Sequence, residues 1–371
     1  DTINFVYAAK DTSVTGGYGS DSITFSRGLT GGQVTGGSGA DSITVSLALS
    51  NAKIYGNVDA DSIAVEGSAV SSSVYGGKGN DSISVSGKLN AARFAGNSGA
   101  DSIVVGSTAT SSSIYGGKGN DSLSLGGVSG GYAEGNLGAD SINVGGDVTS
   151  AEVNLTKWND VNNSDDKADT LVVGGSVSGS TIRTGTGADL VSVAGKISGG
   201  SLYGGDGNDT VIVSSSVGRL VEFADGADSL SASAASGASI GGGSGNDLLR
   251  VTANAKASSL EGGFGADTVL ISTASGGGAT STTVRGGDAT NGGSVLDKAD
   301  SLDVQGTASV VALYGNYGAD TMRIGGNATQ TSIYGGKGAD LMSVAGNLSA
   351  GEIFGGSGSD SVIVSGTLQG S

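Results

Sequence analysis

The chain contains no cysteine and no histidine among its 371 residues, and only one tryptophan. Without cysteine it forms no disulfides and no thiolate metal sites, and without histidine it lacks the commonest transition-metal ligand and general base. Oxygen atoms are then the only metal ligands present in quantity, and they suit hard cations such as calcium. Aromatic residues make up only 5% of the chain while glycine contributes 72 residues, which argues against a large globular core.

Positive charge and long apolar runs are also scarce. The 18 Lys and Arg residues are outnumbered by 35 Asp and Glu residues, which gives a formal net charge of −17. Nucleic acid and anionic membranes bind clusters of Lys and Arg, so we expect neither as a partner. No apolar run approaches the roughly 20 residues of a membrane-spanning helix, so we expect no transmembrane segment.

An aspartate recurs almost every twenty residues from one end of the chain to the other, and it usually closes the phrase Gly-Gly-x-Gly-x-Asp. A fixed period of this length is typical of a solenoid, in which each repeat forms one coil stacked on the previous one. The series consists of Asp1, Asp21, Asp41, Asp61, Asp81, Asp101, Asp121, Asp140, Asp169, Asp189, Asp209, Asp228, Asp247, Asp267, Asp300, Asp320, Asp340 and Asp360. Because the repeat fills the chain, we predict a single continuous solenoid over residues 1–371, with about 18 coils.

One coil, taken from residues 75–95, indicates the local structure. The glycines of the stretch 76–81 supply the positive φ angles of a turn. The stretch 82–86 then alternates with period two, which predicts a strand with Ile83 and Val85 on its buried face. A second turn leads to a second strand around residues 92–94. The pattern therefore predicts an all-β fold, a parallel β-roll or β-helix with two strands per coil.

Two loops are longer than the repeat requires, at about residues 156–168 and 286–299. Both end in Asp-Lys-Ala-Asp before the next strand begins, and the first contains Trp158. We expect both loops to project from the edge of the solenoid that carries the glycines. The chain begins and ends within a repeat, so we also expect it to belong to a longer or polymerising chain.

The aligned aspartates require an explanation beyond turn formation. Neighbouring carboxylates one strand spacing apart, about 4.8 Å, repel by roughly 0.9 kcal/mol even at the dielectric constant of water. An aspartate that only hydrogen-bonds its own turn does not account for such a stack. The repeat therefore predicts several calcium ions along this one edge of the solenoid.

The stretch 76–84 resembles the RTX nonapeptide, Gly-Gly-x-Gly-x-Asp-x-apolar-x, at every defined position, and nine loops contain the full phrase. In RTX proteins, loop carbonyls and aspartates of successive turns hold calcium between them. The resemblance implies the following calcium ligands: Asp21, Asp41, Asp61, Asp81, Asp101, Asp121, Asp140, Asp189, Asp209, Asp228, Asp247, Asp267, Asp320, Asp340 and Asp360, with Gly76, Gly79, Gly116, Gly119, Gly335 and Gly338. RTX rolls usually repeat every nine residues and bind calcium on both edges. The period of twenty places the motif on one edge, so we expect the opposite edge to be metal-free.

Two further rows of side chains point outward by alternation. The aromatic row consists of Tyr55, Tyr75, Tyr115, Tyr203, Tyr314, Tyr334 and Phe354. We favour stacking along the sheet as its role, and a contact stripe for other subunits or for carbohydrate is the alternative. The hydroxyl row consists of Ser22, Ser42, Ser62, Ser82, Ser102 and Ser122. Such a row could bind ice, as in some calcium-dependent RTX solenoids, but apolar residues such as Val104 interrupt its neighbours.

These features predict a structural protein rather than an enzyme, because Lys and Arg are few and scattered and form no catalytic cluster. The sequence also resembles oscillin-type and surface-layer proteins of bacteria. We therefore expect an extracellular calcium-binding protein of the bacterial cell surface, exported unfolded by type I secretion, that self-associates into a surface layer, sheath or filament. A cell-surface polysaccharide is a second candidate partner. The alternatives are a segment of a secreted RTX adhesin or ice-binding protein, and the secretion-and-folding module of an enzyme.

Overall fold

The computed structural model of the chain describes residues 1–156, 167–272, 277–287 and 297–371. Every helix or strand element assigned in these residues is a β-strand. The chain divides into two compact units, Asp1–Leu190 and Val191–Ser371. Each unit is a parallel β-solenoid whose coils repeat about every twenty residues, and together the repeats make about 17 turns. The predicted fold class and period are confirmed.

Each coil begins with a strand directly after the ladder aspartate, and we call the stack of these strands the first face. Ile63 and Val65 point inward and are 1% exposed, while Ser62 points outward. The strand Ser62–Val65 pairs in parallel with Ser82–Val85, and each residue lies opposite its counterpart twenty positions later. Like residues therefore stack on like residues, and the buried aliphatic rows form a continuous core.

Each coil passes through three faces, and in most coils each face has its own strand, whereas the sequence analysis predicted two strands per coil. The predicted second strand is divided into a two-residue strand, Leu89–Asn90, on the second face, and a longer strand, Arg93–Ser98, on the third face. Between them the chain turns a corner at Ala91, which has a φ of 47°. The turn predicted before residues 92–94 includes Leu89. In the structure Leu89 is fully buried, and its side chain is part of the core on the second face.

In the first unit, most coils contain three separate strands, and two coils bend through all three faces as continuous strands. The first-face strands are Thr2–Phe5, Ser22–Phe25, Ser42–Val45, Ser62–Val65, Ser82–Val85, Ser141–Val144 and Thr170–Val173. The second-face strands are Ala9–Lys10, Leu29–Thr30, Leu49–Ser50, Ala69–Val70, Leu89–Asn90, Val148–Thr149 and Val177–Ser178. The third-face strands are Ser13–Tyr18, Gln33–Ser38, Lys53–Val58, Ser73–Lys78, Arg93–Ser98, Glu152–Thr156 and Thr181–Thr186. The continuous strands are Ser102–Lys118 and Ser122–Leu137.

The second unit repeats this arrangement, and the strand Leu190–Val193 contains the boundary between the units. Its first-face strands are Thr210–Val217, Ser229–Ser236, Leu248–Val251, Thr268–Ile271, Ser301–Val304, Thr321–Ile324, Leu341–Val344 and Ser361–Val364, of which the first two continue onto the second face. Its separate second-face strands are Ile197–Ser198, Ala255–Lys256, Gly278–Thr280, Thr307–Ser309, Ala328–Thr329, Leu348–Ser349 and Leu368–Gln369. Its third-face strands are Ser201–Asp206, Leu220–Glu222, Ser239–Ser244, Ser259–Phe264, Thr283–Arg285, Ala312–Tyr317, Ser332–Lys337 and Glu352–Ser357.

The aromatic row lies on the outer side of the third face, as predicted. The rings of Tyr55 and Tyr75 stack with their centroids 5.2 Å apart. In the second unit Tyr334 stacks between Tyr314, at 5.0 Å, and Phe354, at 5.3 Å. The favoured interpretation, stacking along the sheet, is confirmed for these pairs.

The enlarged loops are described only at their ends. Residues 157–166, which include Trp158, and residues 288–296 lie outside the described residues. In the described part of the chain there is no helix of the length and apolar character that crossing a membrane requires.

Candidate metal centre

The loop between the third face and the next first-face strand is built on positive φ angles. Gly77 and Gly79 have φ values of 132° and 128°, which residues with a Cβ rarely adopt. Where asparagine replaces the second glycine, it adopts the same region, with φ of 83° at Asn97 and 84° at Asn136. Asparagine tolerates this left-handed region better than other residues with a Cβ, so the loop keeps its backbone conformation.

The ladder aspartates point into the loop and link successive coils. Asp81 is 2% exposed, and its Oδ1 accepts the backbone N–H of Asp61 at 2.8 Å. The N–H of Asp81 in turn donates to Oδ1 of Asp101 at 2.7 Å. Its carbonyl accepts the N–H of Ser102 at 2.8 Å. Each such aspartate is therefore a rung that joins its own coil to both neighbours, rather than a turn former bonded to its own backbone.

The same rung is found along both units. In the first unit it includes Asp21, Asp41, Asp61, Asp81, Asp101, Asp121, Asp140, Asp169 and Asp189. In the second unit it includes Asp209, Asp228, Asp247, Asp267, Asp300, Asp320, Asp340 and Asp360. Every aspartate predicted as a ligand lies in this ladder. Asp169 and Asp300 belong to it as well, although they were not among the predicted ligands.

The second carboxylate oxygen of the rung is the candidate ligand atom. For many rungs this Oδ2 is buried and accepts no hydrogen bond, which is costly for a carboxylate. This holds for Asp21, Asp41, Asp61, Asp81, Asp101, Asp121, Asp228, Asp247, Asp267, Asp300, Asp320 and Asp340. Each of these oxygens can therefore still bind a cation.

A backbone carbonyl from the next coil faces this oxygen across the first glycine of the loop. A Cβ placed on Gly262 would lie 2.6 Å from Oδ2 of Asp267 and 2.6 Å from the carbonyl oxygen of Gly286. Because both oxygens lie 2.6 Å from one point, they are close enough to each other to bind a single Ca²⁺, whose oxygen ligands lie at about 2.3–2.6 Å. Glycine keeps this space open, and any larger residue would fill it.

The six predicted glycine ligands fall into two positions of the loop. Gly76, Gly116 and Gly335 are first glycines, and a Cβ on each would collide with Oδ2 of the aspartate of its own loop. The fourth-position glycines have φ values of 128° at Gly79, 118° at Gly119 and 143° at Gly338. A Cβ on any of these would collide with a backbone carbonyl of the preceding coil. All six glycines therefore lie where a side chain would collide, the first glycines with the ladder carboxylate and the fourth-position glycines with the backbone of the preceding coil.

No site made of side chains alone accompanies the ladder. Among the residues that the structure describes, no three His, Cys, Asp or Glu side chains converge as metal ligands. A cation in the loop would have to combine one or two carboxylates with backbone carbonyls. At the opposite edge Asp147 is exposed, and its Oδ1 accepts the N–H of Ser176 at 2.7 Å.

Burial changes the acidity of the ladder. Desolvation raises the pKa of Asp61 to about 6 and that of Asp81 to about 7, against the opposing effect of the backbone hydrogen bonds. Burial, helped by the charges of Asp140 and Asp101, raises the pKa of Asp121 to about 8. The pKa of Asp300 rises to about 9, mainly by burial and then by the charges of its neighbours, with Asp297 first among them. Ionised rungs are unfavourable unless a positive charge approaches them.

Comparisons with known proteins add one result about the fold. No protein-family model matches the chain, and no curated protein matches it. A solved structure, that of a hyperactive, Ca²⁺-dependent, β-helical antifreeze protein from an Antarctic bacterium, is similar over 84% of each chain, with a TM-score of 0.54 and 20% sequence identity. At this identity the likeness establishes the β-helical fold. The RTX and surface-layer resemblances stay predictions.

Proposed function

We propose that this chain is a calcium-dependent structural β-solenoid that functions outside the cell. The observation that carries the proposal is the row of buried Oδ2 atoms without a hydrogen bond. At several loops, such as those of Asp61, Asp267 and Asp320, a carbonyl of the next coil lies beside this oxygen. Ca²⁺ between the coils would neutralise the carboxylates and join neighbouring loops. The ligands would be Oδ2 of the rungs and the carbonyls of the first glycines. The similar solved structure is of a Ca²⁺-dependent protein, which is consistent with this proposal.

The cellular site and the assembly follow from the same chemistry. Weak calcium sites of extracellular modules fill at about 10⁻⁴ to 10⁻³ M. A chain that orders only at such concentrations would stay unfolded until export and fold outside. We propose self-association as its structural role, in a surface layer, sheath or filament, with no catalytic step. The outward aromatic row, in which Tyr314, Tyr334 and Phe354 stack, supports such contacts.

Chelation tests the calcium requirement. In excess chelator we expect a largely unfolded chain, because its 72 glycines increase the conformational entropy lost on folding and the rungs repel one another. Far-ultraviolet circular dichroism should become β-rich as Ca²⁺ rises to the millimolar range. Mg²⁺ is the matched control, since it requires a tighter octahedral site and should be much less effective. Identical spectra in chelator and in millimolar Ca²⁺ would contradict the proposal.

A second candidate function is ice binding, and the outward serine row favours it. On the first face of the first unit, Ser22, Ser42, Ser62, Ser82, Ser102, Ser122 and Ser141 lie opposite one another in strict register. Such a row presents hydroxyl groups at one regular spacing. The solved structure with the similar fold is of an antifreeze protein.

Freezing measurements distinguish the two candidates. An ice-binding chain should show thermal hysteresis in millimolar Ca²⁺, and the double variant Ser62→Lys, Ser82→Lys should lose it. Ser86→Lys is the control, because Ser86 is exposed but lies in a turn, beyond the end of its first-face strand. A folded wild-type chain without thermal hysteresis would rule out the ice-binding role and leave the structural one.

A further inference from the structure

Three coils have a side chain at the position that the first glycine of the loop occupies elsewhere. Pairing on the third face aligns Glu134 with Asn154, and so aligns Gly135 with Leu155. The register of the next pair of strands aligns Leu155 with Thr184. In the second unit, Phe223 aligns with Gly204 on one side and with Gly242 on the other. Leu155, Thr184 and Phe223 are 0%, 1% and 4% exposed, so all three side chains are enclosed.

The ring of Phe223 occupies the space beside the preceding rung. A Cβ on Gly204 would collide with Cδ1 of Phe223, and would lie 3.1 Å from its Cε1 and 2.8 Å from Oδ2 of Asp209. Where two neighbouring coils both have glycine at this position, a carbonyl oxygen can lie at the corresponding place. The carbonyl oxygen of Gly286 does so beside Gly262. The ring therefore places apolar carbon directly next to the carboxylate of Asp209.

A ring in this position is incompatible with a calcium ion there. Hard cations require six to eight oxygen ligands, and an aromatic carbon has no lone pair to contribute. The ring also fills the volume that glycine leaves open. Leu155 and Thr184 are aligned with the first glycine in their own coils, and their enclosed side chains add bulk where glycine has none.

We propose that these three side chains interrupt the row of cation sites, so that calcium binds in two separate runs. This inference rests on the proposed calcium-binding function. One run lies in the first unit, at the loops that begin with Gly16 to Gly135, and the other lies in the second unit, from Gly242 onward. Asp209 and Asp228, predicted as ligands from the sequence, then hold their coils together by hydrogen bonds and apolar packing alone.

A count of bound ions tests the inference. The full chain and its variants are dialysed against millimolar Ca²⁺, and bound calcium per chain is measured by mass spectrometry. Phe223→Gly should bind one more ion than the wild type. Phe264→Gly is the matched control, because Phe264 is also a loop phenylalanine of the second unit but lies half-buried at the third loop position. It should bind the wild-type number.

Anomalous scattering from wild-type crystals grown with Ca²⁺ gives a second test that does not depend on the folding of a variant. We expect density beside Asp267 and none beside the ring of Phe223. Density beside that ring, or a folded Phe223→Gly chain with the wild-type ion count, overturns the inference while the proposed function stands. A wild-type chain that binds no calcium overturns the proposed function itself.

Discussion

The two carboxylate oxygens of a ladder aspartate differ in their hydrogen bonding. Oδ1 accepts a backbone N–H from the preceding coil, as Asp81 does from Asp61, and Oδ2 remains buried without a hydrogen bond. The first oxygen maintains the register of the coils with or without metal. The second carries negative charge into a desolvated loop, and only a cation or a proton removes that cost.

Replacing the ladder carboxylates by amides should therefore have opposite effects with and without calcium. In the double variant Asp81→Asn, Asp121→Asn, the amide oxygen can still accept the rung hydrogen bond, but the amide nitrogen cannot bind a cation. We expect fewer bound calcium ions and a loss of about 1–3 kcal/mol in unfolding free energy in millimolar Ca²⁺. In chelator the same variant should have at least as large a β-rich fraction as the wild type, as far-ultraviolet circular dichroism would show.

The control for this pair is Asp147→Asn, at the opposite edge, where the aspartate is exposed. Its ion count should equal that of the wild type. Loss of ions in this variant would show that calcium binds at both edges and that the one-edge prediction is wrong.

The raised pKa values predict how the metal-free chain responds to pH. The folded state raises the pKa of Asp81 to about 7 and that of Asp121 to about 8, while both return to ordinary values near 3.8 on unfolding. The folded state thus binds protons more tightly than the unfolded state. The stability that these groups contribute is fully present below about pH 4 and is lost as pH rises through about 6 to 8.

Far-ultraviolet circular dichroism in chelator, from pH 4 to pH 8.5, measures this effect. The β-rich fraction, small at neutral pH, should grow as pH falls, and saturating Ca²⁺ should abolish most of this dependence because the cation replaces the protons. A metal-free chain whose stability rises between pH 5 and pH 8 would contradict the raised pKa values of the ladder.

At the scale of the coil, the loop glycines fall into those that the fold requires and those that it tolerates. Gly338 has a φ of 143°, and a Cβ there would collide with the carbonyl of Gly318. Gly338→Ala should therefore lower the unfolding free energy by about 1–3 kcal/mol. Gly241→Ala is the control, since its φ is not in the left-handed region and nothing lies within 4 Å of the added Cβ. Thermal unfolding in Ca²⁺ measures both, and equal losses would contradict this account.

The first-face strands and their register could be predicted from the sequence, because Ile83 and Val85 alternate and recur at the same spacing in nearly every coil. The second-face strand could not be predicted in the same way. Leu89–Asn90 is only two residues long, which is too short to show a period of two, and the neighbouring Gly87 suggested a turn. A buried Leu, Val, Ile or Ala recurs at the position of Leu89 in successive coils, and that recurrence was the available signal.

The candidate site was predictable to a similar degree. The aspartate series identified the ladder, but sequence spacing cannot show which oxygen bonds to which coil. Asp169 and Asp300 were left out because their loops lack the glycine phrase, although both end in the same Asp-Lys-Ala-Asp. The position of the Phe223 side chain could not be predicted, because in the sequence Phe223 resembles any other departure from the repeat.

For the whole molecule, a formal net charge of −17 opposes association unless cations bind. We expect sedimentation velocity to show multimers in millimolar Ca²⁺ and dispersed chains in chelator. The double variant Tyr334→Ser, Phe354→Ser should weaken assembly, because these stacked rings form an outward apolar stripe. Val172→Ser, at an isolated and 38% exposed position on another face, should not. A monodisperse wild-type monomer at high concentration would instead favour a binding module such as an adhesin.

The ladder also shows that a longer connection between two coils costs the solenoid little free energy. The rung from Asp247 to Asp267 spans 20 residues with a hydrogen bond of 2.7 Å, and the next, from Asp267 to Asp300, spans 33 with one of 2.8 Å. Loop-closure entropy grows only with the logarithm of length, so the longer connection costs about 0.4 kcal/mol more. Foreign segments of a dozen residues or more could be grafted between Gly287 and Asp297 without breaking the hydrogen bonds on either side. We therefore expect domain insertion to be tolerated between Gly287 and Asp297 and not within the regular coils on either side.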